Sequence, residues 1–115
     1  IMFNCNSDKI RELLGILLDN AIKHSLEESK ITVNLYSEKN NIILEVKNRG
    51  ESIPKEDQGK IFDRFYRVDE SRNRNDNRYG LGLAIAKNIV TSHNGKISVS
   101  CKNGYTTFKV IFKQV

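Results

Sequence analysis

The sequence is poor in several residue types, and each scarcity excludes a class of protein. Its 115 residues contain two cysteines, one proline and no tryptophan. Cys5 and Cys101 are too few and too far apart for a disulfide framework or a metal site, so we expect reduced thiols in a cytosolic setting. No apolar run approaches the roughly 20 residues that a membrane-spanning helix needs. We therefore expect one small globular domain with a single core.

The charge balance is moderately basic. The formal net charge is +5, and charged residues make up 29% of the chain. Such a charge is compatible with nucleotide phosphates, an anionic membrane or nucleic acid, and it can equally serve solubility alone. Basic and acidic residues are interleaved instead of forming a basic stripe, which makes a nucleic-acid binder the least favoured of these classes.

Helical periodicity marks two long helices. Apolar residues recur every three or four positions from about residue 8 to residue 25, and Ser7 or Asn6 can cap this segment. A second apolar helix is predicted over about 83–93. A shorter helix is expected through residues 60–65.

Alternating polar and apolar residues predict two β-hairpins. Segments 31–36 and 42–46 flank a polar turn, and segments 97–101 and 106–112 flank Asn103-Gly104, a strong turn signal. The order of helices and hairpins predicts an α/β (α+β) two-layer sandwich. Its sheet is expected to be mixed, mostly antiparallel, and covered by helices on one face.

The first segment with chemical potential is residues 17–25, with the sequence LLDNAIKHS. Asn20 and Lys23 are three residues apart and are expected to share one helix face. An amide oxygen is a suitable hard ligand for magnesium, and a lysine ammonium suits phosphate oxygens. Taken alone, the pair is more simply explained as an ordinary polar helix edge.

Three further segments add to this pattern, namely residues 46–54, 60–69 and 79–84. In the last of them, Gly80 and Gly82 would let backbone amides approach phosphate oxygens at the start of a helix. A lone Gly-x-Gly usually marks only a turn. Four such segments in this order and at these intervals are much more specific.

The four segments resemble the ATP-binding catalytic domains of bacterial sensor histidine kinases, in the superfamily of DNA gyrase, MutL-type repair proteins and heat-shock chaperone ATPases. Residues 17–25 resemble the asparagine box and residues 48–54 the first glycine box. Residues 61–67 resemble the phenylalanine box, which favours the kinase branch, and residues 80–84 the second glycine box. The resemblance covers essentially residues 1–115 as one domain of the Bergerat-type ATP-binding fold.

The resemblance implies a role for each matching residue. Asn20 would ligate the Mg²⁺ that bridges the ATP phosphates, and Lys23 would contact a phosphate. Arg67 and Arg72 would lie near the terminal phosphate, and residues 68–79, a polar segment, would form the ATP lid. The contacts to the bound nucleotide, beyond Asn20 and Lys23, are implied for Asn48, Gly50, Ile53, Tyr66, Gly80, Leu81, Gly82 and Leu83.

The resemblance also implies partners that lie outside this chain. The γ-phosphoryl group of ATP would pass to a histidine on the dimerisation domain of the same parent protein, and then to the receiver domain of a response regulator. The acceptor-histidine and sensor domains would be absent from this chain, which would be a monomer by itself within a homodimeric parent. It would be the cytoplasmic domain of a membrane-anchored sensor kinase, with no nucleic-acid partner.

Three positions depart from the commonest family pattern. Asn48 stands where aspartate is usual, and Ser52 where a second glycine is frequent. Ile16 replaces a second asparagine, or the glutamate that activates water in gyrase-like ATPases. Because isoleucine cannot act as a base, Ile16 argues against a hydrolase and against a serine kinase of the anti-sigma type. The three departures leave one alternative open, a degenerate nucleotide-binding module that only regulates a partner.

Overall fold

The computed structural model describes residues 7–25, 29–50, 53–63 and 81–113. Its helices and strands follow the predicted order. The two α-helices are α1 (Ser7–His24) and α2 (Leu81–Ser92). The four strands are β1 (Ile31–Glu38), β2 (Asn41–Arg49), β3 (Lys96–Lys102) and β4 (Tyr105–Lys113).

The four strands form one sheet in the order β1-β2-β4-β3. Each neighbouring pair is antiparallel, so the described part of the sheet contains no parallel pair. The prediction of a two-layer α/β sandwich is confirmed, although the parallel component implied by a mixed sheet is absent from these described strands.

Both hairpins close through two-residue turns whose backbone is left-handed. Lys39 and Asn40 have φ values of 50° and 67°, and Asn103 and Gly104 have values of 56° and 82°. Two consecutive positive φ angles match the right-handed twist of the flanking strands. The Asn-Gly signal therefore identified the second hairpin correctly.

One face of the sheet packs against the two helices. Alternation along β2 and β4 sends every second side chain to this covered face. The buried apolar residues from α1, β2 and β4 are Leu13, Leu17, Ala21, Ile42, Leu44, Val46, Phe108, Val110 and Phe112. The core therefore lies between helices and sheet, and no helix of the described residues covers the other face, called the open face below.

The short helix expected through residues 60–65 is not present as predicted in its described part. A 3₁₀ turn at Lys55–Asp57 is followed by successive turns up to Phe62. These turns let the adjacent residues Ile61 and Phe62 both enter the core, where Phe62 packs edge-on against Phe108 at a centroid distance of 6.1 Å. Residues 64 and 65 lie outside the described residues.

The second helix ends at Ser92, one residue before its predicted bound. The Nδ1 atom of His93 lies 2.9 Å from the carbonyl oxygen of Ile89, and the Gly95 N–H donates to the carbonyl oxygen of Val90. These contacts give His93 and Gly95 a capping role at the helix C-terminus. None of the helices in the described residues is long and apolar enough to cross a membrane.

Candidate functional site

Three chain segments meet at one end of the sandwich. Ser25, just after α1, forms an isolated bridge with Gly50, just after β2. The Gly50 N–H donates to the carbonyl oxygen of Gly104, at the tip of the β3–β4 hairpin, over 3.2 Å. These backbone contacts fix the C-terminal ends of α1 and β2 beside each other.

Asn20 is a buried polar residue on α1 near this junction. Its side chain is only 5% exposed, although its neighbours in the core are apolar. Its Oδ1 atom is buried and accepts no hydrogen bond from any residue that the structure describes. Such an unsatisfied group costs about 1–3 kcal/mol of folding free energy. Because the fold keeps this acceptor unsatisfied despite the loss of stability, the Asn20 oxygen is a candidate to bind a cation or a hydrogen-bond donor.

Asn48 occupies the covered face of β2, two residues before Gly50. It is 2% exposed, and its Nδ2 atom is buried without a hydrogen-bond partner in the described ranges. In the sheet register it lies opposite Thr106 of β4. The site therefore holds a second buried amide with an unsatisfied polar atom.

Gly50 is required by the close approach of two backbones. A Cβ atom built on Gly50 would overlap the carbonyl oxygen of His24 and lie 3.1 Å from the Nδ2 atom of Asn48. Any larger residue would push the end of α1 away from β2. The predicted place of Gly50 beside a bound base stays a prediction.

Ile53 is held in the wall of the site by its backbone. Its side chain is buried, its N–H donates to Cys101 Sγ over 3.3 Å, and its carbonyl accepts from Gln58 Nε2 over 3.1 Å. Cys101 is a free thiol, and its Sγ also lies 3.5 Å from Thr106 Oγ1. The reading of Cys101 as a reduced cysteine is therefore compatible with its contacts.

The start of α2 approaches α1 at Ile16, about one helical turn before Asn20. Gly82 is exposed, and a Cβ built on it would lie 3.6 Å from Ile16 Cγ2. Leu83 is buried at 1% exposure. Leu81 is the first residue of the helix, but its side chain is not among those that the structure describes. Ile16 thus packs beside the first turn of α2.

Lys23 lies outside the buried cluster. Its Nζ atom is 3.1 Å from Asp19 Oδ2, and both side chains are more than half exposed. Because solvent screens exposed ion pairs, this one contributes little to stability. The lysine can exchange this partner for another anion at small cost.

The structure brings together part of the predicted site. Asn48 and Gly50 lie beside the junction of α1 and β2, and Ile53 is linked through Cys101 to Thr106, opposite Asn48. Asn20 lies on α1 five residues before the bridge at Ser25, and the first turn of α2 approaches Ile16, about one helical turn before Asn20. The predicted lid at residues 68–79 lies outside the described residues, as does Ser52. So do the predicted site residues Tyr66, Arg67, Arg72 and Gly80.

The sequence reasoning missed Thr106. It is 5% exposed and is the third buried polar side chain of the described residues, opposite Asn48. A signal was present, because Thr106 precedes Phe108 and Val110 in the same alternation. Its hydroxyl stands at a register position that the following residues of β4 fill with apolar side chains.

Comparison with known proteins agrees with this geometry. The family model of histidine kinase-, DNA gyrase B- and HSP90-like ATPases matches residues 5–115. The signal transduction histidine-protein kinase ArlS of Staphylococcus haemolyticus is 46% identical over 109 residues, which are 94% of this chain and 24% of that protein. ArlS of Staphylococcus aureus is 44% identical over 105 residues, covering 90% of this chain and 23% of the relative. The chain thus spans about a quarter of the length of these relatives.

Solved structures show the same fold. The mycobacterial sensor histidine kinase MprB superposes with a TM-score of 0.85 at 26% identity, over 97% of this chain and 76% of that one. The catalytic domain of histidine kinase ThkA gives a TM-score of 0.82 at 26% identity, over 97% and 70% of the two chains. The chain is homologous to histidine-protein kinases and has the fold of their catalytic domains. With a family match that runs from residue 5 to residue 115, it belongs to the histidine kinase-, DNA gyrase B- and HSP90-like ATPases.

Proposed function

We propose that the chain binds Mg-ATP and donates the γ-phosphoryl group to a histidine on the dimerisation domain of a parent sensor kinase, for relay to a response regulator. The supporting observation is a pair of buried amides, Asn20 and Asn48, each with a polar atom unsatisfied among the described residues. Both lie near the junction of α1 with β2. A buried polar atom without a hydrogen bond lowers the stability of the fold, and a bound polar ligand would offset this loss by supplying the missing hydrogen bond.

The arrangement suggests how the nucleotide would lie. Asn48 and Thr106, on the covered face of the sheet, would contact the base between sheet and helices. The triphosphate would extend toward Asn20 and the N-terminus of α2, where free backbone amides and the helix dipole favour anions. Lys23, in the last turn of α1, would exchange Asp19 for a phosphate oxygen.

Asn20 fits the requirements of a magnesium ligand. Its Oδ1 is an oxygen acceptor without a donor among described groups. Mg²⁺ usually takes one or two protein ligands and completes its octahedron with substrate phosphates and water. Magnesium would neutralise charge on the phosphates during transfer. A single amide ligand is sufficient for that arrangement, so Ile16 in place of a second polar ligand is tolerable.

The chemistry needs little covalent participation from this chain. Phosphoryl transfer is promoted mainly by positioning and by neutralising charge on the transferring group. In the proposal, Asn20, Lys23, Arg67 and Arg72 supply these effects. The nucleophile is an imidazole of the acceptor domain, outside this chain, and Ile16 leaves no base at the position from which gyrase-like ATPases activate water.

The proposed domain comprises residues 1–115, with an ATP lid at residues 68–79. By itself it would be a monomer, whereas its membrane-anchored parent protein would be a homodimer. The alternative is a regulatory module that binds nucleotide weakly or not at all. Asn48, Ser52 and Ile16 are its support, because all three replace the commonest family residues. Binding and transfer must therefore be measured separately.

Nucleotide binding is tested by the thermal stability of the domain with and without millimolar Mg-ATP. A ligand that binds the folded state at 100 times its Kd adds about 2.7 kcal/mol of stability and raises the melting temperature. Titration calorimetry gives the Kd itself. An unchanged melting temperature would favour the regulatory module that binds no nucleotide.

Transfer is tested by mixing the domain, labelled ATP and the acceptor domain of the parent protein. Asn20→Ala should abolish labelling of the acceptor histidine, because it removes the magnesium ligand. The matched control is Asn88→Ala, which removes an exposed amide from α2. If Asn20→Ala transfers phosphate as fast as the control, the role given to Asn20 is wrong.

A further inference from the structure

The amide of Asn48 can present either a donor or an acceptor to a base. Its Nδ2 atom is buried and donates to none of the described residues. A Cβ on Gly50 would lie 3.1 Å from this atom, so the glycine keeps that side of the amide free of a side chain. A carboxylate at this position could only accept hydrogen bonds, whereas an amide can rotate by 180° and exchange the two roles.

We propose that this site accepts 6-oxopurine nucleoside triphosphates as well as ATP, with Asn48 as the residue that determines this breadth. The inference rests on the proposed function. Adenine presents an amino donor at C6 and an acceptor at N1, which match Oδ1 and Nδ2 of an amide. A 6-oxopurine reverses both groups, and the rotated amide matches them equally.

A carboxylate placed for the 6-amino group would discriminate strongly. Its oxygen would face the O6 of a 6-oxopurine with no proton between them, which leaves two acceptors unsatisfied. Sites that leave buried polar groups unpaired reject the wrong ligand far more than apolar pockets do. Asn48 removes that repulsion, because Nδ2 donates to O6.

The polar side chains buried near Asn48 also show no preference between an amino group and a carbonyl group on the base. The buried polar side chains in the described part of the chain are Asn20, Asn48 and Thr106, and all three are neutral. The Thr106 hydroxyl, beside Asn48 in the register, can also donate or accept, and either it or Cys101 can supply the proton of their 3.5 Å contact. No buried charge among these residues favours an amino group over a carbonyl.

The test compares the Kd values of Mg-ATP and Mg-ITP by titration calorimetry. Inosine triphosphate differs from ATP only at C6 and N1, so it avoids the extra 2-amino group of guanine. The wild-type domain should bind ITP within tenfold of ATP. In the Asn48→Asp variant, the ratio of the ITP Kd to the ATP Kd should be at least tenfold larger than in the wild type. The control is Asn40→Asp, an exposed turn residue about 25 Å along the strand from Asn48, which adds the same charge without changing the ratio.

The outcomes separate this inference from the proposed function. Wild-type domain that binds ATP but binds ITP more than tenfold weaker overturns the inference and leaves the kinase proposal intact. An equal ratio in wild type and a folded Asn48→Asp variant also overturns it. Binding of neither nucleotide overturns the proposed function and the inference with it. Should Asn48→Asp not fold, the wild-type ratio alone decides.

Discussion

The two faces of the sheet are built from the same strands but carry different chemistry. On the covered face, β2 places Ile42, Leu44, Val46 and Asn48 against the helices. On the open face, the intervening positions include Glu45, Lys47 and Arg49, with Lys47 Nζ 4.6 Å from the centre of the Tyr105 ring. Period-two alternation produces both faces. The unsatisfied amides occur on the covered side, where packing of the helices against the sheet withdraws their polar atoms from water.

The open face is not uniformly polar. Ile43 is 5% exposed although neither of the two described helices covers it, and the register places it between Tyr36 of β1 and Ile111 of β4. These cross-strand neighbours contribute to its burial and form a small apolar cluster with it on the open face.

The largest expected effect is a loss of stability on the covered face. Phe108→Ala removes a fully buried ring that contacts Phe62 and should cost about 3–5 kcal/mol in the free energy of unfolding, measured by urea denaturation. The neighbouring Thr107→Ala points to the open face and should cost less than about 1 kcal/mol. Equal costs would mean that the two faces do not differ in packing.

A second pair of variants compares two glycines of different surroundings. Gly50→Ala forces a Cβ against the carbonyl oxygen of His24 and should destabilise the domain by about 1–3 kcal/mol while weakening Mg-ATP binding. Gly15→Ala, on the exposed side of α1 with nothing within 4 Å, should stabilise it by about 0.5–1 kcal/mol. Thermal melting with and without Mg-ATP measures both. A stable Gly50→Ala variant would show that α1 and β2 need no such close contact.

Lysine side chains on the two sides of the molecule should differ in how much they contribute to the affinity for Mg-ATP. Lys23→Gln should weaken Mg-ATP binding by about 3–10-fold, because it removes a charge-assisted hydrogen bond at an exposed site. Lys109→Gln removes the same charge from the open face and should change the Kd by less than about twofold. Calorimetry at two salt concentrations supplies the measurement. A similar loss in both variants would indicate that overall charge, not position, attracts the nucleotide.

The smallest expected effect is an alkaline titration on the open face. Partial burial raises the pKa of Tyr36 above its ordinary 10.0, helped by its hydrogen bond to Glu45 and by the charges of Glu45 and Glu38. The folded chain therefore keeps this proton where the unfolded chain has lost it. The contribution to stability is complete below pH 10 and is lost as the pH rises through the folded pKa.

Tyr36→Phe removes this dependence. Its stability should fall less steeply above pH 10 than that of the wild type, and the ultraviolet titration of the protein should lose one component that titrates above pH 10. Identical alkaline unfolding curves for the two proteins would mean that Tyr36 titrates as in water.

Local patterns in the sequence predicted most of the fold. The stripe of α1 and the Asn103-Gly104 turn are determined by residues close in the chain, and their elements match within about two residues. The turns around residues 55–62 were not predicted, because they depend on Ile61 and Phe62 reaching a core built from distant strands. Local periodicity does not contain that information.

The site divides in the same way. Motif resemblance pointed to Asn20 and Asn48, but their unsatisfied atoms become evident only when neighbouring elements are in place. Thr106 was missed since its importance comes from a pairing with Asn48 across 58 positions of the chain, the difference between 106 and 48. Strand register is a long-range property and cannot be assigned from either segment alone.

The strand order has a consequence for synthesis of the protein. β4 lies between β2 and β3, so the central gap of the sheet is filled by the last strand that the structure describes. While the chain is still emerging, one side of β2 exposes unpaired backbone groups, and neither Thr106 nor the carbonyl of Gly104 is available to Asn48 and Gly50. A truncated product that ends before residue 104 would therefore lack β4 and Thr106, and it would expose an unpaired strand edge that can associate with other chains.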